Sequence, residues 1–241
     1  MLYLGNAFSV ARMTGTLLRE ARRKKKWTQR QAAVALGVTQ GYLSMLEKGR
    51  RAVSDRFARK ALKVLRLPPT AVPLRSWEAA RRRDFGAELG ALGYPGFSYL
   101  RLSSSRGPRN PAEVLLGALS EPNLDARVAE GLPWLVLRYV DMDWVWLTDN
   151  AKMRDLQNRL GFAVSLAIDT AKTKSDTEMV TALRSRLDVL EKARLAREDT
   201  FCHESMTLAE KVWLRQNRSA MAAHWNLLTD MRAEHLEHAS G

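Results

Sequence analysis

Residues 18–65 read LREARRKKKWTQRQAAVALGVTQGYLSMLEKGRRAVSDRFARKALKVL, and the reading of this stretch decides the fold. Leu17, Leu18 and Ala21 recur at helical spacing and predict a first helix over Thr16–Lys25. Thr28 predicts the cap of a second, because its hydroxyl can accept a backbone N–H left unpaired in the first turn. Ala32, Ala33 and Leu36 give that helix an inward stripe. Gly37 stops it, since glycine adopts the left-handed conformation of a C-cap at least cost. Val38 follows as a buried plug. Thr39 caps a third helix carrying Leu43, Leu46 and Glu47, which ends at Gly49. A fourth helix over Ser54–Leu65 sets Ala58, Ala61, Leu62 and Leu65 on one face, and Pro68-Pro69 closes the unit.

Only about three residues join the second and third helices, with a small alanine before the turn and a glycine in it. Close helix crossing needs such small side chains, and the second helix of the pair is left to protrude. The run WTQRQAAVALGVTQGYLSMLEKGRR, with Leu18 and Arg22 ahead of it, resembles the phage Cro and repressor type of helix-turn-helix, the XRE family. The landmarks are Leu18, Arg22, Thr28-Gln29, Ala33, Gly37-Val38, Ser44, Glu47 and Gly49, and they cover about 50 of the 241 residues. The resemblance implies an all-α domain that binds double-stranded DNA with its third helix in the major groove. It also implies an internal ion pair between Arg22 and Glu47.

Charge points the same way. Residues 1–70 hold 16 Lys and Arg against 3 Asp and Glu, whereas residues 71–241 hold 23 of each, so the whole formal surplus of +13 lies on the first third. A basic run is usually a solvated face. Concentrated on one small domain, it is what phosphate neutralisation and counterion release require.

Within a groove-inserted third helix, the N-terminal residues reach base edges. Gln40 is the best reader, since its amide can pair with adenine N6 and N7. Met45, five residues on, faces nearly the same way and suits a thymine methyl, and Tyr42 and Ser44 are secondary contacts beyond the Thr39 cap. Gly41 departs from the polar side chain usual in the family, which implies close backbone approach and fewer hydrogen bonds there. Thr28 and Gln29 would hold a phosphate on backbone N–H groups at the positive helix end. Lys48, Arg50 and Arg51 would clamp the backbone beyond. Trp27 reads as a lid on the small core. The run Arg22–Lys26 suits the C-terminal end of the first helix dipole.

The remaining chain predicts a second, larger helical region. Residues 1–12 read as an N-terminal arm, too short and polar for a signal peptide. Residues 13–69 are the helix-turn-helix domain, 70–77 a proline-rich linker, and 78–241 a helical domain for dimerisation or partner binding. Helices are expected over Trp77–Leu92, with the basic triplet Arg81–Arg83, and over Leu124–Tyr139, with Pro133 inside. Further ones are expected from Thr148 through Ala171, over Asp176–Arg197, over Cys202–Gln216 and over Ser219–His238. Residues 93–110 are turn-rich, with an extended piece at Phe97–Leu102 and a serine-rich loop. Val180, Leu183, Leu187 and Leu190 step like a short coiled-coil seam. The strip LPWLVLRYVDMDWVWL is the densest apolar region and the expected centre of the second core, its three tryptophans alternatively a partner-binding face. The whole reads as all-α, a helix-turn-helix followed by a bundle or short helical repeat.

No catalytic constellation emerges and no cofactor is expected. His203-Glu204 begins like the zinc motif His-Glu-x-x-His but lacks its second histidine. His235 and His238 have no cysteine or carboxylate cluster to complete a site. The second domain is not the β-rich fold of self-cleaving repressors. One cysteine, Cys202, excludes an internal disulfide and fits a cytoplasmic location. Two functions fit these readings: a dimeric transcriptional regulator, more a repressor than an activator, on an inverted repeat; or an antitoxin whose helical domain holds a toxin while its first domain represses the operon.

Overall fold

The computed structural model describes residues 13–74, 83–100 and 108–236. The expected arm, Arg81-Arg82, most of the serine-rich loop and His238 lie outside the described residues. Two compact units divide the chain: Met1–Ala79 with Ser105–Asn110, and Ala80–Ser104 with Pro111–Gly241.

Among its described residues the first unit holds four α-helices: α1 (Gly15–Lys24), α2 (Gln29–Leu36), α3 (Gln40–Glu47) and α4 (Asp55–Leu65). Thr14, Thr28, Thr39 and Ser54 each accept a first-turn N–H, so four hydroxyls set four starts. Gln31 returns the bond at α2 by accepting the Thr28 N–H at 2.8 Å, completing a capping box. Gly37 and Gly49 follow α2 and α3 at φ 63° and 67°, which glycine alone adopts without penalty. Behind them the N–H groups of Val38 and Arg50 close back on the carbonyls of Ala33 and Met45, a Schellman motif at each end.

One core fills the space between these helices, built on Leu18, Ala32, Leu36, Leu43, Leu46, Phe57, Ala61 and Leu65. Met13 is buried within it. Val38 is half-buried against its edge rather than enclosed, and Leu62 likewise packs from the rim. Of the expected linker, residues 70–74 are described. They begin within a 3-10 turn at Pro69–Ala71, the Asn110 amide donates to the carbonyls of Thr70 and Val72, and Leu74 is buried.

Among the described residues the second unit is helical apart from one short parallel strand pair. Its helices are α5 (Phe85–Leu92), α6 (Pro111–Leu119), α7 (Ala126–Arg138), α8 (Trp144–Lys152), α9 (Gln157–Thr173), α10 (Thr177–Glu191), α11 (Leu208–Asn217) and α12 (Ala220–His224). Strands β1 (Asp199–Thr200) and β2 (Leu227–Leu228) pair in parallel. Helix α9 is buried almost all round, the mark of a core helix, and α6, α7, α8, α10 and α12 pack against it. Trp134, Trp144 and Trp146 are buried, so the tryptophan strip is core and not an exposed face.

Several expected boundaries move. The long helix from Thr148 is two helices, because Asp155 turns left-handed at φ 56° between them. Capped by Asp84, α5 starts at Phe85, and the expected start at Trp77 lies outside the described residues. Residues 95–100 form a 3-10 turn and a following turn, not an extended piece. The expected coiled-coil helix ends at Glu191 and buries only Leu183 and Leu190, as one core-facing helix does. Helix α11 begins six residues after Cys202, at a Thr207–Glu210 capping box. The last helix is only α12, because Asn226 turns left-handed at φ 53° and releases the chain into β2.

Buried Arg159 locks this unit together. Its guanidinium donates to both Asp199 oxygens at 2.7 and 2.8 Å, to Glu204 at 3.1 Å and to the carbonyls of Leu119 and Glu121. Glu204 thus serves the arginine. Trp225 lies over Gly161, where a Cβ would meet the ring at 2.3 Å, and its indole N–H donates to Ser165 Oγ at 3.0 Å.

Candidate nucleic-acid interface

Arg22 and Glu47 pair as their positions imply. Arg22 Nε donates to Oε1 at 2.7 Å and Nη2 to Oε2 at 3.0 Å, while Nη1 reaches the Trp27 carbonyl at 2.8 Å. Gln29 Nε2 donates to the same Glu47 Oε2 at 3.0 Å. One carboxylate therefore ties α1, the turn before α2, and α2 itself to the last turn of α3. Burial alone would raise the Glu47 pKa, but the hydrogen bonds from Arg22 and Gln29, together with the positive charges of Arg22 and Arg19, more than offset this and hold it below the ordinary glutamate value.

The phosphate contact expected of Gln29 lies on its backbone N–H, not on its side chain. Its side chain is committed to Glu47, so what α2 presents outward is its first-turn backbone, where the N–H groups of Gln29 and Arg30 have no intrahelical acceptor. Thr28 is engaged in its capping box, and exposed Arg30 stands beside these donors.

On α3 the inward side chains Leu43, Leu46 and Glu47 are buried and the opposite side is free. Gln40 and Gly41 are exposed, Ser44 is half-buried and Met45 is 39% exposed. Thr39 Oγ1 accepts the Tyr42 N–H at 3.2 Å. Tyr42 is more enclosed than an exposed contact residue: its ring meets Phe57 edge-on at 6.1 Å and carries the Arg51 guanidinium 5.0 Å from its centre. Arg51 is thereby held beside the exposed Lys48 and Arg50. A Cβ added at Gly41 would meet nothing within 4 Å, so the fold itself does not ask for glycine there.

The chain supplies further cations that the site residues named above do not include. Arg56, Arg59, Lys60 and Lys63 are exposed on α4, opposite the buried Phe57, Ala58, Ala61 and Leu65. Their three- and four-residue spacing is legible in the sequence as the polar half of an amphipathic helix. The geometry offers a two-turn helix with small and amide side chains outward, a second helix start with open N–H donors beside it, and cations around both. That is a surface for a polyanion with readable edges.

Residues 18–72 match the family model of helix-turn-helix domains. No match to the chain was found among curated proteins or among solved structures. No helix among the described residues is long and apolar enough to cross a membrane.

Proposed function

We propose that this protein, whose residues 18–72 match the helix-turn-helix family model, is a sequence-specific transcriptional regulator of the XRE type and the repressor kind that reads an inverted repeat as a dimer. The observation that carries the reading is the exposed outer side of α3, anchored from behind by the Arg22–Glu47–Gln29 cluster and flanked by Lys48, Arg50 and Arg51. Gln40 reads an adenine edge and Met45 a thymine methyl, with Ser44 and Tyr42 at the margin. The open N–H groups of α2 and the three flanking cations hold phosphates. Gly41 lets the DNA come close to the helix backbone.

Dimerisation follows from magnitude. A single module of this size buries little surface, and two half-sites one helical turn apart supply the affinity that one lacks. The second unit, with its own core and no charge surplus, provides the contact between copies. Selection of bound duplexes from a random pool tests the whole reading. An inverted repeat with half-site centres about 34–36 Å apart, bound by two chains and weakened steeply by salt, is the expected result. Recovery of no preferred sequence, or of a single half-site bound by one chain, overturns it.

A further inference from the structure

The second unit carries an open cleft of about 960 Å³ between α7, the turn after β1 and α11. That volume suits a drug-sized ligand. Its floor is apolar: Phe201 and Leu214 are buried, and Met206 and Met231 are half-buried. Trp213 stands at the edge with 55% of its surface exposed, a large aromatic that folding leaves uncovered.

The polar groups in the wall are mostly of one sign. Glu130 is half-buried and Asp230 exposed, and neither has a hydrogen bond or ion pair among the described residues. Glu210 also lines the cleft, but its carboxylate accepts from Thr207 in the α11 capping box. Among the described residues no lysine or arginine is in the lining, and His203 is its single basic side chain. Arg127, Lys211 and Arg232 adjoin the lining residues in sequence without joining them.

We propose that this cleft binds a hydrophobic organic cation. The apolar floor takes the body of the ligand, Glu130 and Asp230 take its charge, and Trp213 offers the negative face of its ring. An anion of the same shape meets two carboxylates. A neutral ligand would shield Glu130 from water without compensating it.

Tetraphenylphosphonium and tetraphenylborate share one shape and carry opposite charges, which makes them the probes. Titrated into the full chain, tetraphenylphosphonium is expected to bind once per chain by calorimetry and to quench tryptophan fluorescence, the quench disappearing in Trp213→Leu. Glu130→Gln with Asp230→Asn, confirmed as folded by circular dichroism, should weaken it about tenfold, as loss of charge contacts in a partly desolvated site does. Equal affinity in that double variant overturns the proposal. So does an equal Trp213 quench by tetraphenylborate, or a basic amphipathic peptide occupying the cleft while tetraphenylphosphonium does not.

Discussion

Arg22 grips Glu47 through two parallel hydrogen bonds, 2.7 and 3.0 Å long, in a site where the glutamate side chain is 1% exposed and the arginine 11%. The pair spans α1 and the last turn of α3, so the pose of α3 depends on a charge contact inside the protein. Breaking one side strands the other. Glu47→Ala should cost about 3–5 kcal/mol in urea unfolding of the first unit, the usual cost of an uncompensated buried charge. Replacing both partners at once, Arg22→Met with Glu47→Leu, should recover most of that loss. If the double variant is no more stable than the single one, the pair is not the anchor described.

Acid should act on the same contact. The folded-state pKa of Glu47 lies below its ordinary value, so its contribution is complete above the unfolded value and disappears as pH falls through the folded one. Thermal melts followed from neutrality down through the carboxylate range should show the first unit weakening, and Glu47→Gln should remove part of that slope. An identical slope in the variant would assign the acid sensitivity elsewhere.

Gly41 separates folding from binding. Open space surrounds its missing Cβ, and it sits inside a helix. Gly41→Ala should therefore stabilise the domain by about 0.5–1 kcal/mol while lowering affinity for the selected duplex, because the added methyl stands where DNA approaches. Stabilisation with unchanged affinity would mean that the groove stays clear of this position.

Gln40 and Arg50 should fail in different ways. Gln40→Ala should lose about 1–3 kcal/mol on the selected sequence and spare random duplexes. Arg50→Ala should weaken all duplexes alike and reduce the salt slope by about 1. Equal loss on both DNA classes for Gln40→Ala, or an unchanged slope for Arg50→Ala, removes the role concerned.

Cys202 is 1% exposed, and burial pushes its thiol up to about 12, with Arg159 countering only in part. The native chain should resist a thiol-specific disulfide reagent at neutral pH and react fully once denatured, since the thiolate is the nucleophile. Rapid labelling of the folded protein would contradict the burial.

The first unit was legible because its signals are local and agree. Thr28, Gly37, Thr39 and Gly49 punctuate the chain where the helices begin and end, and the apolar stripe between them has one period. The Gln29 bond to Glu47 was not legible, since it joins residues 18 apart in sequence through the fold. Left-handed Asp155 and Asn226 also escaped, because neither is glycine and each lies within a continuous helical pattern. The Thr207–Glu210 capping box is the kind of signal that fixes a helix start from sequence alone, and it places α11 six residues beyond Cys202.

The body of α3, from Gln40 to Glu47, contains no lysine or arginine, and its one ionised side chain is turned inward. Under the proposed function, the letters that address this protein to a promoter and the ballast that keeps it on nucleic acid would therefore be written on separate parts of the backbone. On that reading a lineage would exchange Gln40 or Met45 to move to a new target without renegotiating its hold on DNA in general, and would add or shed arginines around them to tune residence without changing the address.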